Sequence, residues 1–278
     1  MLRMNFRQTL QAEKPLQIVG VLNPFMAMMA EHVGFKALYL SGAGVANMSY
    51  GIPDLGMTTL DNVLIDAERI SQKVALPLLV DIDTGWEIPH TIREMEKVGV
   101  AAIHIEDQQV NKRCGHHPGK MLVSKEEMCD RIKMAVDARV DENFVIMART
   151  DAVAVEGFEA ALDRAKAYVA AGADMLFPEA LTDARHYRIF NTVGVPVLAN
   201  ITEFGRTPLI TRKELLEVDV DMALYPLTLS RVMNHAALSA MKELKNEGTQ
   251  KDLIPKMMTR NELYEFLDYE KQEKEFNQ

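Results

Sequence analysis

The chain has 278 residues, 48% hydrophobic and 26% charged, and its formal net charge is −9 at pH 7. These values are typical of a globular protein with one large core or two small ones. The negative charge, with no offsetting basic stripe, argues against binding to nucleic acid. No apolar run approaches the ~20 residues that cross a bilayer, and the first residues lack the apolar segment of a secretory signal. We therefore expect a cytoplasmic protein without a membrane partner, in which Cys114 and Cys129 are both reduced.

Eight apolar runs of strand length follow one another along the chain: QIVGVL, ALYLSG, LPLLVDID, AAIHIED, FVIMARTD, MLFPEA, PVLANI and MALYPL. Their nearly continuous hydrophobicity is typical of parallel strands that are covered on both faces. Helical patterns lie between them, with capping signals at Thr59, Ser124 and Gly172. This alternation predicts an α/β fold, a (β/α)8 barrel of the TIM type. A doubly wound open sheet is the alternative, but the chain lacks its glycine-rich turn after the first strand.

The chain continues well beyond the eighth strand. We expect one domain spanning residues 1–278, with an eighth barrel helix and a helical extension from about residue 249 to 278. Pro255 predicts a break, followed by one or two further helices. An appendage of this kind often packs on a neighbouring subunit.

Polar residues follow most of the predicted strands. Because barrel enzymes place their chemistry at the carboxyl ends of the strands, these residues predict an active site. Buried charge is costly unless it serves a ligand or a partner. The strand-end residues are Tyr39, Ser41, Asp81, Asp83, Glu106, Arg149, Glu179, Asn200 and Thr202.

A cluster of carboxylates predicts a metal site. Asp81 and Asp83 lie two residues apart on a strand and so point to the same side, with Glu106 and Asp54 expected nearby. Such hard oxygen ligands favour Mg²⁺, with Mn²⁺ as a substitute. The alternative is an ion-paired cluster facing Arg149 or Lys112.

The segment from Lys112 to Lys120 contains a thiol, two imidazoles, three cations and two glycines. Thiols become reactive among cations and imidazoles, and glycine lets a substrate approach the backbone. We therefore expect acid–base chemistry at Cys114, with His116 as a functional neighbour and His104 as a core residue. Lys120 is expected to be solvated or to anchor the loop. Four cations, Lys112, Arg113, Arg149 and Arg231, suit a substrate with several carboxylates.

Motifs spread over most of the chain carry a family resemblance. They are Tyr39–Gly42, Pro53–Gly56, Val80–Asp83, His104–Asp107, Lys112–His116, Met147–Asp151, Phe177–Glu179, Leu198–Gly205, Ala223–Pro226 and Thr259–Glu265. In this order they resemble the isocitrate lyase group of the phosphoenolpyruvate mutase superfamily, and most of all its branch that cleaves 2-methylisocitrate. Two departures are His117, where that branch mostly has arginine, and a shortened segment after Asp83.

The resemblance implies a Mg²⁺-dependent barrel enzyme that splits 2-methylisocitrate into pyruvate and succinate, in the methylcitrate cycle of propionate degradation. It also implies a homotetramer whose C-terminal helix is exchanged between subunits. The implied metal-site residues are Asp81, Asp83, Asp54 and Glu106. The implied substrate-binding residues are Ser41, Gly42, Ala43, Lys112, Cys114, Gly115, Arg149, Glu179, Asn200, Ile201, Thr202, Arg231 and Arg260. For the chemistry, Cys114 is the expected acid, Tyr39 the candidate base, and His116 and Glu179 tune the thiol.

Other functions remain open at this point. Isocitrate and 2,3-dimethylmalate are rival substrates within the same group, although isocitrate lyases are much longer chains. Phosphonate mutases and oxaloacetate hydrolases generally lack the Cys-Gly-His loop. A non-catalytic barrel that binds di- or tricarboxylates would be expected to have lost Cys114, Asp81, Asp83 or Arg149, and all four are present.

Overall fold

Eight parallel strands form the centre of the fold. The computed structural model describes residues 5–277. The strands are β1 (Leu16–Gly20), β2 (Ala37–Leu40), β3 (Leu78–Asp81), β4 (Ala102–Glu106), β5 (Val145–Thr150), β6 (Met175–Pro178), β7 (Leu198–Asn200) and β8 (Met222–Tyr225). Their order is β6-β5-β4-β3-β2-β1-β8-β7, and β6 and β7 meet at one parallel bridge between Leu176 and Val197. The sheet is thus a nearly closed (β/α)8 barrel, as predicted, and pairing of β1 with β8 rules out the open doubly wound sheet.

Helices separate successive strands. They are α1 (Phe6–Ala12), α2 (Pro24–Val33), α3 (Gly42–Gly44), α4 (Leu60–Lys73), α5 (Ile88–Lys97), α6 (Lys125–Ala138), α7 (Phe158–Ala170), α8 (Arg185–Asn191), α9 (Arg212–Glu217), α10 (Thr228–Glu247), α11 (Arg260–Phe266) and α12 (Tyr269–Phe276). A π-helical turn spans Val45–Ser49, and 3-10 turns span Ala152–Ala154 and Lys251–Lys256. No helix among residues 5–277 has the length and apolarity needed to span a membrane.

The predicted helix ends have identifiable causes. Thr59 and Asn62 form a reciprocal capping box at the start of α4. Ser124 caps α6 by accepting a hydrogen bond from the Glu127 backbone at 3.0 Å, as the capping signal at this residue predicted. Gly172, just beyond α7, has a φ of +110°, a left-handed conformation that glycine adopts at little cost.

The barrel interior is filled by alternate side chains of the strands. This core contains Phe6, Leu16, Ile18, Ala37, Tyr39, Leu79, Ala102, Val145, Met147, Met175, Phe177, Leu198, Met222 and Leu224. Successive residues of a strand point to opposite faces, so every second position belongs to the interior. This periodicity determines which strand-end residues can reach a site inside the mouth.

The chain divides into two compact units by its internal contacts: the first ends at Thr228 and the second begins at Leu229. The first unit contains the barrel strands. The second contains nearly all of α10 together with α11 and α12, with Pro255 inside the 3-10 turn. The division falls at the start of α10, and the single domain with an extension from about residue 249 stays a prediction.

Candidate active site

The polar residues at the carboxyl end of the barrel continue the inward-facing rows of the core. Asp81, Arg149, Glu179 and Asn200 each stand two positions beyond an interior residue of their strand, and Glu106 stands four positions beyond Ala102. All five side chains are buried. Neighbouring strands also place them side by side, since Glu106 pairs in register with Arg149. The sequence pattern therefore builds a polar layer directly on top of an apolar core.

Asp81 is held by the strand and loop beside it. Its Oδ2 accepts a hydrogen bond from the Gly42 backbone at 3.1 Å, and its Oδ1 accepts one from the Asp83 backbone at 3.1 Å. The Tyr39 hydroxyl lies 3.5 Å from Asp81 Oδ2 and 3.0 Å from His104 Nε2. These contacts fix the carboxylate and join it to a buried phenol–imidazole pair. His104 is buried, as expected, but it is also part of this cluster.

Burial and neighbouring charges give the titratable side chains of this cluster different pKa values. Burial alone would raise the pKa of Asp81, but His104 and Lys112 outweigh it and lower that pKa to about 2. Burial and the adjacent Asp81 raise the pKa of Asp83 to about 6 despite Lys112. Burial lowers the pKa of His104 to about 4, so its ring is neutral at pH 7. Burial, and then Asp81, raise the pKa of Tyr39 well above its usual value.

Two cations lie among the carboxylates. Lys112 Nζ lies 2.7 Å from Asp54 Oδ1 and forms an ion pair with Asp83. Arg149 Nε lies 3.3 Å from Glu106 Oε2. Burial raises the pKa of Glu106 even with Arg149 beside it. In the chain alone, the predicted metal carboxylates thus form the ion-paired cluster that was the alternative interpretation.

The oxygen atoms of these carboxylates determine which metal ion would fit the cluster. Within residues 5–277, no set of three or more His, Cys, Asp or Glu side chains is arranged to hold one. Magnesium, however, takes few protein ligands and keeps several waters. A Cβ on Gly42 would lie 3.0 Å from Asp81 Oδ2 and 3.1 Å from Asp83 Oδ1, and both Glu106 oxygens are buried without a hydrogen bond. The oxygen donors therefore suit a hard, partly hydrated divalent cation.

The segment that bears the thiol lies against two of these strand ends. A Cβ on Gly115 would lie 2.6 Å from Arg149 Nη2 and closer still to Glu179 Oε1, so glycine is required at this approach. Cys114 is half-buried and unpaired, and burial raises the pKa of its thiol. The thiol is therefore protonated at neutral pH.

His116 and Asn200 hold the Glu179 carboxylate. His116 Nε2 lies 3.0 Å from Glu179 Oε1, and Asn200 Nδ2 donates to its two oxygens at 3.3 and 3.2 Å. The other ring nitrogen, His116 Nδ1, accepts from the Arg206 backbone at 3.0 Å. Burial would raise the pKa of Glu179, but Arg149 and His116 lower it to about 2, so this group is ionised.

The other predicted substrate-binding residues lie in segments that follow strands or in the second unit. Ser41 caps α3, its hydroxyl accepting from Gly44 at 3.2 Å, and Ala43 lies within that short helix. Ile201 and Thr202 are buried directly after β7. Arg231 and Arg260 belong to the second unit, on α10 and α11, and their substrate-binding role stays a prediction.

The sequence did not single out a second polar network behind the site. Asp107 accepts hydrogen bonds from Thr150 at 2.7 Å and Tyr168 at 2.8 Å, and Asp151 pairs with Lys120 at 2.8 Å. Lys120 is buried and anchors the loop, so the alternative that it is solvated was wrong. The available signal was a second acidic residue after each of these strands, Asp107 next to Glu106 and Asp151 two positions after Arg149.

The chain is similar to known proteins over most of its length. A family model described as phosphoenolpyruvate phosphomutase matches residues 6–245. A 2-methylisocitrate lyase of Shewanella oneidensis is 60% identical over 271 residues, which cover 96% of this chain and 93% of that protein. A solved 2,3-dimethylmalate lyase, from the phosphoenolpyruvate mutase/isocitrate lyase superfamily, has a TM-score of 0.89 at 34% identity, covering 96% of this chain and 92% of that one.

A further structure, of phosphonopyruvate hydrolase in complex with oxalate and Mg²⁺, has a TM-score of 0.85 at 25% identity and covers 97% of this chain and 95% of that one. The barrel and its mouth are those of an enzyme. The chain belongs to the phosphoenolpyruvate mutase/isocitrate lyase superfamily. This confirms the resemblance found in the sequence, and carbon–carbon lyases are among its relatives.

Proposed function

We propose that the chain is a Mg²⁺-dependent carbon–carbon lyase that cleaves 2-methylisocitrate into pyruvate and succinate, in propionate degradation by the methylcitrate cycle. The observation that carries the proposal is the position of one loop. Lys112 of this loop contacts Asp83, and Gly115 of the same loop packs on Glu179 and Arg149. A neutral thiol and a cluster of hard carboxylates can therefore act on one polyanion. The name of the 60% identical relative supports the choice of substrate.

Asp81, Asp83 and Glu106 are the proposed residues of the metal site, with Asp54 nearby, and Mn²⁺ is a proposed substitute. When bound, Mg²⁺ would supply positive charge next to the substrate hydroxyl and carboxylate oxygens and so lower the hydroxyl pKa. The Mg²⁺ in the phosphonopyruvate hydrolase complex supports this choice. The donor set also favours it, because carboxylate oxygens are the ligands that magnesium prefers.

The reaction needs a base, anion stabilisation and an acid. The base takes the hydroxyl proton, the carbon–oxygen bond becomes the carbonyl of pyruvate, and the electrons of the broken carbon–carbon bond pass to the succinate carbon. Lys112, Arg149 and Asn200 are proposed to stabilise that charge. Cys114 then donates its S–H proton to the carbanion, and its raised pKa keeps that proton on the sulfur at neutral pH before the transfer. His116 and ionised Glu179 are proposed to orient the loop that carries the thiol.

Tyr39 is the proposed base for the hydroxyl proton. Its hydroxyl lies within 3.5 Å of Asp81 Oδ2, next to the proposed metal site. Its pKa is raised by burial, which opposes formation of the phenolate in the chain alone. Because Tyr39→Phe removes the oxygen that would take the proton, this variant should lose turnover and keep the fold.

The experiment that tests the function measures pyruvate and succinate from 2-methylisocitrate with and without Mg²⁺. Isocitrate is run beside it because it lacks one methyl group, which changes binding by only about 1–3 kcal/mol. The dicarboxylate 2,3-dimethylmalate is run as the other rival substrate. The proposal predicts the highest kcat/KM for 2-methylisocitrate. Higher kcat/KM for 2,3-dimethylmalate would move the assignment to the second candidate, which the 2,3-dimethylmalate lyase structure favours. Binding of these acids without turnover of any of them would support a non-catalytic barrel.

The remaining proposals concern the setting of the enzyme. We propose a homotetramer with exchange of the C-terminal helix, supported by the resemblance and by the exposed apolar side chains of α10. We also propose a cytoplasmic location with no nucleic acid or membrane partner. Both cysteines are unpaired, which is in keeping with a reducing compartment.

A further inference from the structure

Lys120 is a buried cation that has no role in the reaction steps proposed above. Its side chain is 1% exposed. Its ammonium group donates to Asp151 Oδ1 at 2.8 Å and to the carbonyl oxygen of Gly115. An ammonium group has three donors and no acceptor, and burying it requires partners. Here the partners belong to two different segments, which the ammonium group joins.

One end of this bridge is anchored in the barrel. The Asp151 carboxylate also accepts from Arg149 Nε at 2.9 Å and Arg149 Nη2 at 3.3 Å. The Asp151 backbone donates to Asp107 Oδ1 at 2.9 Å. Asp107 is itself held by Thr150 and Tyr168, at 2.7 and 2.8 Å. Asp151 therefore cannot shift without disturbing several buried hydrogen bonds.

The other end is the backbone immediately after the thiol. The Gly115 carbonyl follows Cys114 by one residue, and the Gly115 Cα faces Glu179 and Arg149 at a distance that excludes a Cβ. Groups that carry out proton transfer must be held closely, since a misplacement of about 1 Å can cost about 100-fold in rate. A charge-assisted hydrogen bond to the carbonyl is suited to holding this backbone in place.

We propose that Lys120 is a positioning residue that ties the Cys114–Gly115 backbone to the Arg149–Asp151 ion pair and so sets the distance between the thiol and the guanidinium group. The catalytic consequence rests on the proposed function. The tether, by which we mean the hydrogen bonds of Lys120 to Asp151 and to the Gly115 carbonyl, does not rest on it, because it can be tested without any substrate.

The first experiment compares alkylation of the two cysteines by iodoacetamide in the native protein, quantified on the separate peptides. Cys129, half-buried on α6, is the internal reference. In Lys120→Met the ratio of Cys114 to Cys129 labelling should rise about tenfold, since release of the loop exposes the thiol and relieves the burial that raises its pKa. The matched control is Lys97→Met, which removes a surface lysine paired with Glu94 at 3.2 Å and should leave the ratio unchanged.

The second experiment measures turnover of 2-methylisocitrate by the same variants. Lys120→Met should lower kcat about 100-fold with KM changed less than about threefold, because Arg149 keeps its bonds to Asp151. If Lys120→Met fails to fold, Lys120→Gln replaces it in the test. Its amide group can still donate a hydrogen bond but has no charge, so it should give an intermediate labelling ratio. An unchanged ratio in the folded variant overturns the tether.

The two proposals fail in different ways. A raised labelling ratio in a protein that cleaves none of the three acids would sustain the tether and reject the lyase. Normal cleavage by the wild-type protein, with an unchanged ratio in both Lys120 variants, would reject the tether and sustain the lyase.

Discussion

The ammonium group of Lys112 forms an ion pair with the carboxylate of Asp83. Lys112 precedes Cys114 by two residues in the same loop, while Asp83 lies two residues after the end of the third barrel strand. This pair therefore brings the loop that bears the thiol to the end of the barrel where the aspartates lie. An arrangement with these two elements at opposite ends would have excluded the proposed chemistry.

Removal of divalent cations should abolish activity. Treatment with EDTA is expected to lower turnover about a thousandfold, because charge stabilisation of this kind contributes several kcal/mol. Added Mg²⁺ should restore turnover and raise the midpoint of thermal unfolding, since a ligand at 100 times its Kd adds about 2.7 kcal/mol of stability.

The metal site can be tested by a pair of substitutions. Asp83→Asn should remove both the activity and the thermal shift caused by Mg²⁺. Asp163→Asn, which alters an exposed aspartate, should keep both. Full activity after exhaustive EDTA treatment would show that the reaction needs no metal.

Gly115→Ala should damage activity more than stability. The new methyl group would overlap Arg149 and Glu179, so the loop must move away from the site, and kcat should fall about 100-fold. Gly194→Ala is the contrasting control, because Gly194 has open space but a φ of +94°. It should cost about 1–2 kcal/mol of stability and leave kcat intact. Equal kcat in the two variants would argue against a close fit at Gly115.

Cys114→Ser should lose cleavage while keeping the fold. General acid catalysis contributes about 10²–10⁴-fold, and a serine hydroxyl is a far weaker acid than a thiol. We expect kcat to fall by at least about 100-fold. Cys129→Ser should retain the kcat of the wild-type protein. The assignment of Cys114 as the acid fails if its serine variant keeps near-normal turnover with Mg²⁺ present.

Local patterns predicted the barrel because each strand is a short apolar run, and they predicted the strand ends because inward positions alternate. Even β7, which has three residues, was found within the run PVLANI. The patterns could not predict which distant segments meet. Lys120 and Asp151 are 31 positions apart, and Tyr39 and His104 are 65 apart. Both pairs form only once the barrel has assembled, since β3 separates the strands that carry Tyr39 and His104.

The second unit should mediate assembly. On α10 the side chains of Leu238 and Met241 are 53% and 65% exposed in the single chain, and Leu244 lies on the same stripe. Exposed apolar stripes of this kind mark interaction surfaces. Light scattering during size-exclusion chromatography should give four times the mass of one chain. The double variant Leu238→Glu/Met241→Glu should lower that mass, whereas Lys242→Glu on the same helix should not. A monomeric wild-type protein would contradict the proposed tetramer.

The direction of catalysis should determine how the rate depends on pH. Cleavage requires the protonated thiol of Cys114, and burial raises its pKa above the ordinary value of 9.0, with Glu179 and Asp54 adding to the rise and Arg149 opposing it. As pH increases, the protonated form is lost only above that value, so kcat for cleavage should stay constant up to about pH 9 and then fall. Condensation of pyruvate with succinate requires the thiolate, and its rate should rise with pH over the same range.

Initial rates in both directions between pH 6 and about 10, corrected for enzyme stability at each pH, would test this pH dependence. Glu179, with its pKa of about 2, is ionised over that whole range and cannot produce the change. An alkaline fall in both directions would indicate a different titrating group, because one thiol that acts as acid in cleavage must act as base in condensation.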